Sequence, residues 1–355
     1  MAINKQNFEE LLGLVVKEGA SDLHIAVGRY PILRIDGSLV PLLKQELLTP
    51  DTARDFVFNL LTEEQKGVFL KEKELDLSYN FQDRARFRVN VFHQRGFAGA
   101  AMRLIPSKIK SFQELGLPPL LQELAKSQQG FFLVVGPTGH GKSTTLAAFI
   151  DHINHSRADH IITIEDPMEY LFVSDKATID QREVGSDTIG FQRALKSMLR
   201  EDVDVAMVGE MRDAETMAMA VTAAETGHFV LSTLHTNDAS QTIDRIIDTF
   251  PPNQQNQIRA QLAASLVGIV SQRLIPKNGG GRVPAVELMI ANSAVRNLIR
   301  ENKTHQLNLI IETSSEQGMI SLNRSLIDLV RKGDISMESA VNYSLNPAEL
   351  QTLLR

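Results

Sequence analysis

Three observations predict a two-domain α/β protein. Over roughly the last two-thirds of the chain, short apolar runs alternate with helix-period segments, the pattern of parallel strands joined by crossover helices. Before that, alternating runs and an Asp-Gly turn describe an antiparallel sheet with accompanying helices, an α+β arrangement. A stretch rich in proline and glycine, running from Pro106 to Pro119, separates the two patterns. We expect an N-terminal domain over about 1–105, a linker over 106–115 and a second domain over 116–355. The chain of 355 residues is long enough for both.

In the N-terminal part, Phe8, Leu11, Leu12, Val15 and Val16 recur at helical spacing, so Asn4 to Lys17 reads as a helix that Gly19 stops. Ser21 to Ile25 alternates as a short strand. Pro31 to Val40 reads as two strands joined by Asp36-Gly37. Asp51 to Leu61 and Thr62 to Lys71 read as helices, and Leu75 to Tyr79 as a strand. In Arg86 to Phe92, the apolar Phe87, Val89 and Val91 face one way, and Arg86, Arg88 and Asn90 the other. The next strand, Ala98 to Leu104, adds Arg103. By pattern alone this polar face is either solvated surface or an arginine face aimed at phosphate or at a neighbouring subunit.

After a helix over Leu120–Ser127, the second part predicts strand Phe131–Val135 and helix Ser143–Asn154. Strand Ile161–Ile164 and helix Thr188–Arg200 follow, the latter burying Phe191, Leu195, Met198 and Leu199. Strand Val205–Val208 precedes helix Ala214–Thr226, with Asp213 as N-cap and Gly227 just past its end. Strand Phe229–Thr233 leads to helices Asp238–Asp248 and Asn253–Gln272, split by Pro251-Pro252. Lys277 to Arg282 is a loop. The remainder reads as mostly helical: Ser293–Glu301, Leu322–Lys332, Met337–Tyr343 and Ala348–Leu354.

One motif dominates. Gly136-Pro137-Thr138-Gly139-His140-Gly141-Lys142-Ser143, followed by Thr144, fits G-x-x-x-x-G-K-[ST] between a strand and a helix. Its glycines let backbone N–H groups turn toward one point. Lys142 supplies a charge for the β/γ-phosphates, Ser143 a hydroxyl for Mg²⁺, and the following helix the positive end of its dipole. Open α/β sheets bind ligands at the carboxyl ends of their strands. Glu165, Asp166 and Glu169, then Glu210, then His235 all follow strand ends, so they converge with the loop on one crevice. An acidic Glu210 there suits Mg²⁺ held through water or the orientation of a nucleophilic water. Glu165, Asp166 and Glu169 are candidates for the general base. His235 is placed to sense the γ-phosphate or a carboxylate, whereas His228 lies at the wrong end of its strand and reads as structural.

Composition narrows the function classes. No apolar run approaches the ~20 residues that span a bilayer, and the first residues lack the apolar core of a signal peptide. The absence of cysteine excludes disulfides and thiolate metal sites and suits a reducing cytoplasm. A net charge of -6 argues against non-specific nucleic-acid binding.

Four segments resemble, in order and spacing, the Walker A, Asp box, Walker B and His box of the type II/IV secretion ATPase superfamily. They are Gly136–Ser143, Ile164-Glu165-Asp166-Pro167-Met168-Glu169, Val208-Gly209-Glu210-Met211-Arg212-Asp213, and Ala224–His228 with Thr233–Thr236. Within that superfamily the chain is most similar to type IV pilus retraction ATPases. Ala20–His24, Arg86–Asn90 and Ala294-Val295-Arg296-Asn297-Leu298-Ile299-Arg300-Glu301 extend the resemblance over essentially the whole chain.

The resemblance implies a PAS-like N-terminal domain followed by a RecA-like P-loop ATPase domain whose C-terminal region, from about 290, is helical. It implies a homohexameric ring that hydrolyses ATP with Mg²⁺, the nucleotide lying between subunits. Gly136 to Thr144 would bind the nucleotide, with Ser143 and, through water, Glu210 on the metal. Glu169 would be the catalytic base, Glu210 the Walker B glutamate and His235 the His-box histidine. Arg88 and Arg103 would reach the phosphates when the two domains close. The expected location is the cytoplasmic face of the inner membrane. The expected partner is the platform protein of a pilus machine, with no stable nucleic-acid partner and no membrane contact except through partners. Two positions depart from the family pattern: His140 replaces a small residue inside the loop, and Glu201-Asp202-Val203-Asp204 lacks the usual proline. The rivals are an accessory retraction ATPase, and an extension or secretion ATPase, which usually carries a tetracysteine site. A RecA-type nucleic-acid translocase would need a basic channel. A non-hydrolysing scaffold would need Glu169 and Glu210 misplaced.

Overall fold

The computed structural model describes residues 5–35, 37–82, 85–106 and 108–353. Asn4 of the first expected helix, Asp36 of the expected turn, Ser107 of the expected linker and Leu354 of the last expected helix lie outside the described residues. The chain divides into two units. One comprises Met1–Lys108 together with Pro167–Leu171; the other comprises Ile109–Asp166 and Phe172–Arg355.

The first unit contains α1 (Lys5–Lys17), β1 (Asp22–Ile25), β2 (Ile32–Ile35), β3 (Ser38–Pro41), α2 (Pro50–Leu60), α3 (Glu63–Glu72), β4 (Glu74–Phe81), β5 (Ala85–Gln94) and β6 (Phe97–Ile105). Its strands form one sheet in the order β3-β2-β1-β6-β5-β4, with antiparallel neighbours throughout. Helix starts follow local chemistry. Thr49 and Thr62 each close a capping box, with Thr52 and Gln65 respectively, satisfying otherwise orphaned N–H groups. Phe8, Leu12 and Val15 of α1 and Phe56 and Val57 of α2 are buried with Phe87, Val89 and Val91 of β5. The alternation in β5 therefore sorts its faces as the sequence predicts. Arg88 and Arg103 stand opposite each other in the β5–β6 register.

The second unit begins with α4 (Leu120–Leu124), β7 (Gly130–Val135), α5 (Lys142–Ser156), β8 (His160–Glu165), β9 (Thr178–Glu183) and α6 (Phe191–Met198). It continues with β10 (Val205–Val208), α7 (Ala214–Glu225), β11 (Phe229–Leu234), α8 (Ala239–Asp248), α9 (Pro252–Ser265), β12 (Leu266–Pro276) and β13 (Arg282–Ile290). Helices α10 (Ser293–Arg300), α11 (Leu307–Thr313), α12 (Leu322–Arg331), α13 (Met337–Tyr343) and α14 (Pro347–Leu353) complete it. The sheet runs β13-β12-β7-β11-β10-β8-β9, parallel except for the β12–β13 pair. Side-chain alternation along β7 builds two cores. Phe131, Leu133 and Val135 join residues of α6, α7, α8 and α9 in one core, while Phe132 and Val134 join Phe149 of α5 and Leu121 of α4 in the other. Both faces of the sheet are thus covered, which is why these strands read as continuous apolar runs.

Several expectations are corrected. The helix expected to run from Asn253 to Gln272 ends at Ser265, and the chain then extends as β12 between β7 and β13. Strands β9 and β13 are additions to the expected elements. Leu199 is exposed rather than buried, because α6 stops at Met198 and Leu199 leaves the core-facing row that holds Ala194, Leu195 and Met198. Residues 109–115 of the expected linker fold with the second unit, where Phe112 packs edge-on to Phe149 with ring centroids 4.8 Å apart. In the loop that lacks the family proline, Asp202 takes a left-handed φ of 52°. There His160 Nδ1 lies 2.9 Å from the Glu201 carbonyl oxygen, and the His160 N–H donates to Asp204.

Candidate functional site

Three strand ends of the second unit converge. Between β7 and α5 the chain makes the glycine loop, with Gly136, Gly139 and Gly141 all at positive φ. At Gly136 the reason is also steric: a Cβ there would sit 2.3 Å from the Gln272 carbonyl oxygen. Lys142 opens α5 and is buried. Its Nζ donates to the carbonyls of Gly136 at 3.0 Å and Pro137 at 3.1 Å, and lies 3.3 Å from His235 Nδ1. Its ammonium is thereby folded over the loop.

His235 follows β11 and is the meeting point. Its Nδ1 is 3.2 Å from Thr138 Oγ1 in the loop, and its Nε2 is 3.4 Å from Glu210 Oε1 beyond β10. Because Lys142 can only donate, Nδ1 accepts, and the arrangement fits the tautomer with its proton on Nε2 facing the carboxylate. Glu210 is held by its neighbours. Gly209 lets β10 end close to β8, since a Cβ there would approach Ile164 O at 3.3 Å. Ser232 and Thr233 hydroxyls donate to the carbonyls of Val208 and Gly209, both at 2.7 Å, fixing that strand end. Arg212 Nη2 donates to Glu210 Oε2 at 3.0 Å. Burial works against the charged carboxylate. The Arg212 hydrogen bond, with the charges of Arg212 and Lys142, outweighs it and holds the Glu210 carboxyl below its ordinary range.

The three acidic candidates after β8 separate. Glu165 is buried and accepts from Thr163 Oγ1 at 2.8 Å and Gln181 Nε2 at 3.4 Å, so its carboxylate is engaged within the sheet. Asp166 is the last residue of the second unit before the chain passes to the first. Glu169 is counted with the first unit, where its Oε1 lies 4.0 Å from Arg88 Nη1. Arg103 Nε donates to Asp22 Oδ1 at 3.0 Å across the β1–β6 pair. His228 Nδ1 lies 3.0 Å from the Ala223 carbonyl oxygen, a structural contact at the end of α7.

The structure adds residues that sequence reasoning did not find. Gln272 on β12 reaches the phosphate loop, and Ser271 and Arg273 reach the loop after His235. Ser271 Oγ donates to Asn237 O at 2.8 Å, and Arg273 Nη2 to Asn237 Oδ1 at 3.1 Å. Nearby, the buried Glu287 of β13 accepts from the Ala239 N–H at 2.8 Å, at the start of α8. Reading Leu266–Gln272 as helix concealed Ser271 and Gln272, while Arg273 and Glu287 lie beyond that expected helix. The run from Leu266 to Val270 is buried almost throughout and carries no period-2 alternation, so hydrophobic period does not separate strand from helix there. Arg296 of α10 is also internal: its guanidinium donates to the carbonyls of Ala263, Ala264, Leu266 and Ala291, closing the end of α9.

The residues present fit Mg²⁺. Among the described residues no cluster of three or more His, Asp or Glu could hold a metal by itself. Ser143 in the first turn of α5 and the half-buried Glu210 instead offer the sparse protein ligation typical of Mg²⁺ shared with phosphate oxygens and water. No helix among the described residues is long and apolar enough to cross a membrane.

A family model described as type II/IV secretion system protein matches residues 2–342. The chain is 46% identical over 331 residues to the type IV pilus retractation ATPase PilT of Pseudomonas aeruginosa, covering 93% of this chain and 96% of that protein. It is 39% identical over 349 residues to the type IV pilus ATPase PilU of the same organism, covering 98% of this chain and 91% of that one. A crystal structure of the pilus retraction motor PilT with bound ADP matches it with a TM-score of 0.91 at 46% identity, covering 99% of each chain.

Proposed function

This chain belongs to the type II/IV secretion system protein family, and from that premise we propose that it is an ATPase whose hydrolysis cycle powers retraction of a type IV pilus and thereby twitching motility. The observation that carries this reading is the 46% identity to a pilus retraction ATPase over nearly the full length of both chains. The Lys142–His235–Glu210 cluster gives that likeness a site for hydrolysis.

The chemistry is that of positioning and charge stabilisation. The N–H groups of Thr138 to Thr144, through the loop and into the start of α5, hold the phosphates, and Lys142 gathers the charge on the β/γ bridge. Mg²⁺, carried by Ser143 and through water by Glu210, would neutralise phosphate charge when bound. Glu169 takes the proton of the attacking water as it approaches the γ-phosphorus in line with the departing ADP. Arg88 and Arg103 stabilise the charge that spreads over the γ-phosphoryl oxygens. His235, touching Thr138, Lys142 and Glu210, ties the phosphate loop to the Walker B carboxylate, so a displacement at one reaches the other.

On this reading the N-terminal unit is the PAS-like domain and the second unit the RecA-like domain of each protomer. Six protomers form a ring at the cytoplasmic face of the inner membrane, acting on the platform protein of the pilus machine. Purified wild-type protein should hydrolyse ATP, and Lys142→Ala or Glu210→Ala should abolish it. Full activity in either variant would overturn the site assignment. Deleting the gene in its native host should give hyperpiliated, immotile cells; bald cells would overturn retraction.

A further inference from the structure

β12 lies against β7 with Val270 opposite Val134 and Ser271 opposite Val135. Residues 272–274 therefore run on past the end of β7, alongside the loop that follows it. Gln272 is 3% exposed. Its side-chain amide bridges two points of the phosphate-binding segment. Nε2 donates to the His140 carbonyl at 2.8 Å, and Oε1 accepts from Thr145 Oγ1 at 2.7 Å. One anchor precedes Lys142 and the other follows it. The main chain of the same residue sets a limit on the first glycine, where a Cβ would meet Gln272 O at 2.3 Å. Its amide nitrogen sets a limit on the last, where a Cβ at Gly141 would meet Nε2 at 2.9 Å. Two residues on, the Leu274 N–H donates to His140 Nδ1 at 2.8 Å.

An amide is the side chain this geometry requires. One end must donate to a carbonyl and the other must accept from a hydroxyl, at fixed separation and away from water. A leucine of similar size would leave both partners unsatisfied. A glutamate would set an acceptor against the His140 carbonyl.

We propose that Gln272 is a positioning residue for ATP hydrolysis: it sets the shape of the phosphate loop from the neighbouring strand, holding His140 and Thr145 at the spacing that places Lys142 and the loop N–H groups around the phosphates. The proposal rests on the reading of this chain as an ATPase. Gln272 does not touch the reacting atoms in this role. It acts through the loop, so its loss changes both how tightly nucleotide is held and how fast it turns over.

The test compares wild type, Gln272→Leu, Thr145→Val and the double variant. It measures ADP affinity with a fluorescent ADP analogue, kcat and KM for ATP with Mg²⁺, and the unfolding midpoint without nucleotide. Gln272→Leu should weaken ADP binding by about ten- to a hundred-fold and lower kcat as well, from the loss of two buried hydrogen bonds. Thr145→Val should shift the same quantities less. The double variant should be little worse than Gln272→Leu, because both changes break one link. A Gln272→Leu protein that melts lower yet keeps wild-type kcat, KM and ADP affinity would reduce Gln272 to a packing residue and overturn the proposal. Should Gln272→Leu not fold, Thr145→Val decides: unchanged kcat and KM overturn the proposal, a fall in both supports it. Absence of ATP hydrolysis by the wild type would instead refute the functional reading, and the ADP affinities would still decide whether Gln272 shapes the loop.

Discussion

His140 stands where the family pattern has a small residue, and at the residue scale the structure gives it work. Its Nδ1 accepts the Leu274 N–H, so that nitrogen carries no proton and the ring is neutral. Burial, then the charges of Arg273, Lys142 and Arg282, push its pKa below the ordinary histidine value, which agrees with that bond. Around it, Gln272 holds its carbonyl and Arg282 donates to that of Gly139 at 3.3 Å. The residue therefore fastens the loop to β12 instead of crowding it. The folded state resists protonation of this ring more than the unfolded state does, so the stability it contributes is present above about pH 6.5 and declines as pH falls below that. His140→Ala should lower the unfolding midpoint at pH 8 by an amount equivalent to about 1 kcal/mol. The gap between variant and wild type should narrow as the measurement moves to pH 5.5, and a gap constant with pH would rule out the neutral-acceptor role. Much of this site was legible without coordinates. Lys142, Ser143, Glu210 and His235 follow strand ends, and strand ends of parallel sheets are where ligands bind. Gln272 was not legible, since a lone glutamine gives no motif and its partner, the His140 carbonyl, is main chain.

At the scale of elements, β12 explains both what was missed and what holds the site. Leu262 to Val270 is almost unbroken apolar sequence, and an apolar run of that kind reads equally as buried helix or buried strand. Tertiary pairing decides the matter, because from Leu266 onward the chain docks between β7 and β13. β9 escaped for the opposite reason. Thr178-Ile179-Asp180-Gln181-Arg182-Glu183 is mostly polar, as suits the outermost strand of the sheet. The two faces of β12 do different jobs: Gln272 faces the phosphate loop, while Ser271 and Arg273 hold Asn237 behind His235. On the neighbouring strand Glu287 receives the first N–H of α8, and burial pushes its carboxyl up to about 7 against the pull of that bond; Asp238 adds to the rise and Arg273 opposes it. The sign follows directly. Between pH 4.5 and 7 the folded state holds a proton that the unfolded state has lost, so stability falls as pH rises through that window, by about 3 kcal/mol in total. Glu287→Gln should remove this loss. Chemical denaturation at pH 5 and pH 8 should show the variant gaining on wild type at the higher pH, and equal pH dependence of the two would contradict the buried proton.

For the molecule as a whole, the proposed cycle draws on both units. The P-loop, Glu210 and His235 belong to the second, and Arg88, Arg103 and Glu169 to the first. Arg88→Ala should therefore lower kcat by roughly 10²-fold while leaving ADP affinity within about twofold, because a charge that stabilises the transition state contributes little to holding product. Steady-state turnover beside ADP titration measures the split; an unchanged kcat would return that strand face to the role of solvated surface. The antiparallel sheet with its helices and the parallel sheet covered on both faces were each predictable from hydrophobic period, which is local. Assignment of Pro167–Leu171 to the first unit was not, since those five residues sit in the middle of a sequence otherwise belonging to the second. That interleaving bears on recombination. Chimeras that exchange N-terminal domains between relatives by one splice near Lys108 would transplant an incomplete unit, leaving Arg88 of one parent to face Glu169 of the other.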